Sequence, residues 1–334
     1  MSNYQLNRRR ALQALGAWAA ASPKLHGQQP AGEPDGRVTP LGEFVNVLEF
    51  EPMAKRKLPD AVFSTIAGGD RADMERCTFR PRLMVDTSKL NLTTELFGER
   101  MFAPILVGPA SSQQKIHPDG ELAMVRGGAA AKAVTVISSL ASQPIEAIVG
   151  AAKGPIWYQV FVGPEARRQA EKAVGLGCKV LLITVSTPID WMAIDKIRQG
   201  LKVPVVVKGI MNPADAGTAV KRGVQGIVIS NYRAAASPSA FWMLAPIADA
   251  LGGRIPILID GGFRRGTDIL KALILGAQAV MVTRPVLWGL AGYGADGVQS
   301  VMEMLQTELA RNMIMIGAVT PRELKRDMIR IHSR

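Results

Sequence analysis

Two arginines, each placed just after an apolar run, set out the chemistry this chain could carry. In the stretch IPILIDGGFRRGTDILKALILGAQAVMVTRP, Ile255 to Ile259 is closed by Asp260, Gly261, Gly262, Phe263 and Arg264, and Ala279 to Val282 by Thr283, Arg284 and Pro285. Short continuous apolar runs bounded by turn residues read as strands buried on both faces. The glycines let backbone approach a ligand closely, and two guanidiniums offer planar five-donor forks, a combination that suits a phosphate at the top of two neighbouring strands. The competing reading is a glycine-rich turn beside two solvated arginines. Between the runs, Thr267 and Asp268 are placed to cap a helix from Asp268 to Leu275 that Gly276 ends, so the stretch reads as one βαβ unit.

Lys208 is the sharpest single residue elsewhere. It ends the run PVVVK, where an ammonium is either buried without a partner until a ligand supplies one, or snorkels to water. Other polar groups stand just after apolar runs: Pro109, Ala110 and Ser111; Ser138 and Ser139; Gln159 and Phe161; Thr184 and Ser186; Ser230 and Tyr232.

Eight such runs alternate with helix-length segments: Pro104 to Val107, Val134 to Ser138, Ile156 to Phe161, Val180 to Val185, Val203 to Val207, Gly226 to Ser230, Ile255 to Ile259 and Ala279 to Val282. Strict alternation over eight repeats predicts an α/β fold, a closed (β/α)₈ TIM barrel, in which the groups after the strands converge on one face. Hydroxyls, an amide, one ammonium and two guanidiniums gathered there would satisfy a planar ring with carbonyls and nitrogens, a polyol chain and a terminal phosphate. Flavin mononucleotide (FMN) is such a ligand.

Length and composition fit one large domain. The 334 residues are 48% hydrophobic and 20% charged, with a net charge of +12. Aromatics are only 5% and no basic run interleaves with them, which argues against a nucleic-acid partner and for small anionic ligands. Two cysteines, Cys77 and Cys178, make no disulfide scaffold, and no metal-ligand spacing occurs. At the amino terminus, Arg8 to Arg10 precede an alanine-rich apolar stretch from Ala11 to Ala21, too short for a permanent membrane span. Residues 1–21 read as a twin-arginine-type signal peptide, 22–40 as a flexible tether and 41–334 as the barrel with its cap, which places the protein in the periplasm. A disordered basic tail is the plainer alternative. Within the cap, Glu43 to Lys55 and Leu58 to Ala67 have helix-like spacing, LMVDTSKLNLTTELFGERM reads as a hairpin, and the whole is expected to cover the barrel floor. A last helix is expected from Val298 to Ile314, with a short closing helix from Pro321.

From about Phe50 onward the chain resembles the FMN-dependent α-hydroxy acid oxidases and dehydrogenases, the glycolate oxidase and lactate dehydrogenase type. The stretches that carry the resemblance are KLPDAVFSTIAGG, GPASSQQKIHPDGE, ISSLAS, YQVFV, TVSTP, VPVVVKGI, GIVISN and the long stretch from Ile255, in the family's order. The resemblance implies an FMN flavoprotein with a small-molecule substrate, an electron acceptor it does not name, and a homotetramer. Ala110 and Ser111 would then face the flavin edge, and Ser138, Gln159 and Thr184 would bond the ring. Lys208 would support the reduced flavin, Ser230 and Asp260 would bond the ribityl chain, and Gly262, Arg264, Thr283 and Arg284 the phosphate. Thr283 stands where the family usually has glycine, which leaves less room.

The substrate half departs from the family's pattern. That pattern calls for a histidine base, an aspartate partner, arginines that fork a carboxylate, and tyrosines over the ring. Here the Ser-Asn-His motif reads Ser230, Asn231, Tyr232, the arginine three residues on is Ala235, and the aspartate position is Ser186. Phe161 and Thr65 stand at the tyrosines and Leu140 at a frequent tryptophan. The chain has three histidines, His26, His117 and His332, and His117 in HPDGE reads as a capping or packing residue. Nineteen residues, Ile189 to Val207, link Pro188 to Lys208, too few for the family's long mobile loop. The expectation is an oxidoreductase with an altered substrate, in which Lys208 and Tyr232 are the candidate catalytic groups. The alternatives are an FMN- or phosphate-ligand-binding barrel without turnover and a flavin-independent isomerase.

Overall fold

A computed structural model describes residues 38–69, 71–232 and 239–332. The leader, most of the tether, Arg233 and Ala235 lie outside the described residues. Among those described, no helix is long and apolar enough to cross a membrane.

The chain enters through two 3₁₀ turns, Leu41–Glu43 and Val47–Glu49, then α1 (Phe50–Lys57), α2 (Asp60–Ile66) and a single turn, α3 (Ala72–Glu75). Short strands follow: β1 (Cys77–Phe79), then β2 (Thr94–Leu96) and β3 (Glu99–Met101). The β/α repeat then begins: β4 (Ile105–Val107), α4 (Gly120–Ala130), β5 (Thr135–Ser138), α5 (Ile145–Ala151), β6 (Ile156–Phe161), α6 (Ala166–Gly175), β7 (Leu181–Thr184) and α7 (Trp191–Arg198). It continues through β8 (Val205–Ile210), α8 (Pro213–Lys221), β9 (Gly226–Ile229), α9 (Ala240–Leu251), β10 (Ile257–Asp260), α10 (Gly266–Ile274), β11 (Ala279–Val282) and α11 (Arg284–Met315), before β12 (Ile329–Ile331).

Strands β4 to β11 close into a parallel barrel in sequence order, with β11 pairing β4. The expected fold is the observed one. Local chemistry sets the helix starts: Asn212 accepts from the Asp215 amide with Pro213 behind it, and Asp190 accepts from the Ala193 amide. Boundaries move where tertiary pairing overrules composition. The strand expected to stop at Val207 runs on to Ile210, because β9 pairs with it through a bulge at Lys208–Ile210 that Gly209, at φ 114°, makes possible. The helix expected from Asp268 starts at Gly266. Asp268 serves it from inside, its Oδ2 accepting from the Arg264 and Arg265 amides at 3.0 Å each.

The cap divides between the two ends of the barrel, where a single floor cap was expected. The hairpin β2–β3 does close the floor. Leu96, Phe97 and Met101 pack on the inward layer of Leu106, Trp157, Val206 and Met281, with Phe97 edge-on to Trp157 at 5.5 Å. Only Thr94–Met101 forms the hairpin, turning through Phe97 and Gly98 at φ 54° and 79°. α2 instead lies over the opposite face, where Ala61, Val62, Thr65 and Ile66 line the main cavity. β1 pairs antiparallel with β12, tying the last described strand to the start of the fold; three-residue strands are too short to show a period.

The expected last helix, Val298 to Ile314, lies within the second half of α11, and ahead of it, across a kink at Tyr293 and Gly294, stands a first half from Arg284 that was not expected. Its glycines hid it from a propensity reading, but packing requires them. A Cβ on Gly297 would lie 2.0 Å from the Gly289 carbonyl oxygen, so the two halves cross backbone to backbone. Gly297→Ala is expected to destabilise the protein by about 1–3 kcal/mol in urea unfolding, since main chain must shift. Gly150→Ala in α5, where nothing lies within 4 Å, is expected to be neutral or slightly stabilising. Equal unfolding midpoints for the two variants would refute the crossing.

Candidate functional site

The carboxyl ends of the strands open into a cavity of about 800 Å³. Its lining includes Pro109, Ala110, Ser111, Ser138, Gln159, Phe161, Thr184, Lys208, Tyr232, Asp260, Gly261, Gly262, Phe263, Arg264, Thr283 and Arg284. The candidate cofactor and catalytic residues other than Ser230 therefore reach one space. Ser139 and Ser186 are absent from that lining.

At the phosphate end, Arg264 is buried at 4% exposure with its guanidinium over the Trp288 ring, 4.7 Å from the centroid. It donates to the carbonyls of Phe263 at 3.0 Å and Gly68 at 2.6 Å, while Arg284 donates to the Ala67 carbonyl at 3.4 Å. The solvated-arginine reading fails here. Burial, and next the neighbouring Arg284, push the Arg264 guanidinium down to about 10. Two like charges held together on neutral carbonyls are costly until an anion joins them. The nearby Asp268 does not serve, because it is bound in two places by Arg71 at 3.1 and 3.2 Å and by two backbone amides. Gly69 makes the wrap possible, since a Cβ there would sit 2.5 Å from Arg264 Nη2. Crowding at Thr283 is relieved on the facing strand by Gly108, whose Cβ would fall 2.2 Å from Thr283 Oγ1.

In the middle, Gln159 Nε2 donates to Thr184 Oγ1 at 2.8 Å, and both residues are buried. Lys208 does not snorkel, nor does it wait for a ligand. Its Nζ lies 2.5 Å from Asp260 Oδ2 and donates to Ser230 Oγ at 2.7 Å. Both corrections have one cause: β8, β9 and β10 are neighbours, so their ends supply the partners that the strand alone lacks. Ser230 consequently stands behind the ammonium instead of on the cavity wall. Among the described residues the one lining carboxylate, Asp260, is paired with Lys208, so Lys115, Arg264 and Arg284 leave the lining positive.

At the mouth, Tyr232 is 52% exposed, its ring 6.3 Å from that of Phe161 and 5.6 Å from Lys208 Nζ. No histidine is among the lining residues. His117 Nδ1 accepts from the Asp119 amide at 3.2 Å just ahead of α4, and His332 pairs with Thr78. Both cysteines are free and buried, and burial pushes the Cys178 thiol up to about 12, so it is an inert core group. Among the described residues no acidic, histidine or cysteine cluster could hold a metal ion. The sequence reading missed Ser112, Lys115, Ile116 and the α2 face. Ala61, Val62, Thr65 and Ile66 recur at helical spacing, a usable signal once α2 is set on the top face.

The family model described as FMN-dependent dehydrogenase matches residues 54–190 and 185–331. The chain belongs to the FMN-dependent dehydrogenase family. Its relatives in this family include a peroxisomal (S)-2-hydroxyacid oxidase of Arabidopsis thaliana, 31% identical over 87% of this chain and 97% of that protein. Glycolate oxidase 1 of Zea mays is 30% identical over 86% and 96%. Among solved structures, mandelate oxidase with (S)-2-phenylpropionate superposes with a TM-score of 0.82 at 30% identity, covering 87% of this chain and all of that one. A flavocytochrome b2 variant superposes at 0.83 and 28% identity, covering 88% of each chain. FMN is this family's cofactor, and the cavity fits it: two paired guanidiniums for a dianion, buried amide and hydroxyl donors for a ring, and glycine backbone between them.

Proposed function

We propose that this FMN-dependent dehydrogenase family member is an oxidoreductase that keeps the cofactor half of the site and has a rebuilt substrate half, so that it acts on something other than a simple 2-hydroxy acid. The observation that carries this is Tyr232. Directly after Ser230 and Asn231, a half-exposed phenol paired with Phe161 occupies the place in the sequence where the Ser-Asn-His motif has its histidine, and the lining offers no histidine instead.

Bound FMN would supply a two-electron acceptor. The chain's residues would do the rest. Arg264 and Arg284 would fork the phosphate, with Gly261, Gly262 and Thr283 offering backbone and Phe263 fixing Arg264 through its carbonyl. Asp260 would take a ribityl hydroxyl while still holding Lys208. Ser138, Gln159 and Thr184 would bond the ring edges, and Pro109, Ala110 and Ser111 would border its opposite side. Lys208 would favour the negative charge that reduction brings, because a buried ammonium needs no reorganisation to meet it. Tyr232 would donate a hydrogen bond to the substrate.

Visible spectra of the purified protein, followed by anaerobic mixing with candidate reductants, test the reading. A colourless protein that takes up no added FMN would overturn it. A yellow protein that no organic donor bleaches would favour a binding barrel without turnover, a reading that the lack of a base in the lining supports. Lys208→Met is expected to lower the flavin potential by about 30–60 mV. A two-electron couple moves about 30 mV per 1.4 kcal/mol, and a charge-assisted contact contributes about 1.5–3 kcal/mol. Dye-equilibration titration measures the shift, and an unchanged potential would remove Lys208 from the redox role.

A further inference from the structure

Of the four cationic side chains that line the cavity among the described residues, Lys208 is engaged by Asp260 and Ser230, and Arg264 and Arg284 form the phosphate end. Lys115 is different. It is exposed, lines the same cavity, and its ammonium has no ion pair or hydrogen bond among the described residues. No carboxylate in the lining competes for it, since Asp260 belongs to Lys208.

The backbone beneath Lys115 is held firmly. Glu121, fully buried, accepts from the Gln113 amide at 3.1 Å and from the Ser142 amide at 2.9 Å, and also takes the Ser142 hydroxyl. Ser112 sits in the left-handed region at φ 52°, uncommon for a residue with a side chain, and its amide donates to the Leu140 carbonyl at 3.1 Å. Gln114 donates from its amide to Ser142 Oγ at 2.9 Å. Two adjacent loops are thus clamped by one carboxylate, and the ammonium rises from a preorganised base.

Depth is the remaining observation. Ser138, Gln159, Thr184 and Lys208 are buried deep in the cavity, whereas Lys115 and Tyr232 are exposed at its rim. Beside them the lining carries a half-buried apolar and aromatic set, Val62, Ala110, Ile116 and Phe161, together with the hydroxyls of Thr65, Ser111 and Ser112. Resting on the function proposed above, we infer that Lys115 is the substrate's anion anchor, and that the substrate is a flat or apolar-bodied anion whose charged group is remote from the carbon that meets the flavin. In a simple 2-hydroxy acid the carboxylate is bonded to the reacting carbon, so it cannot reach the rim while that carbon meets the ring held by the buried groups. A spacer of several bonds lets both contacts form together.

FMN-loaded protein titrated with benzoate, 3-phenylpropionate and 4-phenylbutyrate, each beside its neutral amide, tests this through the change in the flavin absorption band. The longer acids are expected to bind more tightly than benzoate and about three- to tenfold more tightly than their amides, the range for an ion pair in a partly open site. Lys115→Gln should erase the acid-over-amide preference while leaving FMN affinity unchanged, and Lys115→Arg should retain it. Tightest binding by benzoate, no spectral change with any acid, or an undiminished preference in Lys115→Gln would each overturn the inference. A colourless parent protein, by contrast, would refute the proposed function itself, so the two failures are separable.

Discussion

Glycolate, lactate and mandelate, mixed anaerobically at millimolar concentration with the FMN-loaded protein, are expected to leave the oxidised flavin band intact on the timescale of seconds, while dithionite bleaches it normally. Oxidising such an acid removes two electrons and two protons, and one proton needs a base held beside it. A positioned base is worth roughly 10²–10⁴ in rate. Tyr232 is a poor substitute, because a phenol brings a hydroxyl donor where the reaction needs a proton acceptor. It is also half exposed at the mouth. The carboxylate must in addition be fixed so that its α-carbon faces the ring, and a misplaced reactant loses further rate. Lys208 cannot supply that fork while Asp260 and Ser230 hold it, and Lys115 is a single point charge at the rim. Stopped-flow absorbance measures the outcome. Complete bleaching within seconds by any of the three acids would falsify the rebuilt substrate site and direct attention to Arg233, which lies outside the described residues.

Replacing Arg264 by alanine is expected to weaken FMN binding by about tenfold to more than a hundredfold. A charge-assisted contact contributes roughly 1.5–3 kcal/mol, and each 1.4 kcal/mol is tenfold in affinity. The effect should reach the upper part of that range, because the guanidinium is buried, rests on Trp288 and also fixes the Gly68 carbonyl of the loop that covers it. Arg284→Ala should act similarly. Arg265→Ala should change little, since that side chain is exposed and absent from the cavity lining. Flavin fluorescence titration of the three apo-proteins orders them. Equal affinity in Arg264→Ala and the parent would show that the phosphate sits elsewhere, and a uniform loss in all three would show a general effect of charge instead of a fork.

Much of this protein is written locally. Eight apolar runs with helix-entry residues between them specify the barrel, since parallel strands covered on both faces must be continuously apolar and each crossover must be a helix. The cofactor end is equally local, because the residue after each strand is carried to the same face whatever the loops do. So Gln159, Thr184, Arg264 and Arg284 could be placed from sequence and are found together. The partners across strands could not. That Lys208 is met by Asp260 and Ser230 depends on which strands become neighbours and on a bulge that turns the end of β8, neither of which a run of valines encodes. The approach segment shows the same limit. Its helices and hairpin have local signals, but only three-dimensional packing sends α2 to the top face and the hairpin, through Phe97 against Trp157, to the floor. Glycine-rich segments are the hardest to read, because low helix propensity and close backbone packing point opposite ways. At Gly289 and Gly297 the sequence shows only the first, whereas the crossing of the two halves of the last helix, where a Cβ on Gly297 would fall 2.0 Å from the Gly289 carbonyl oxygen, decides the second.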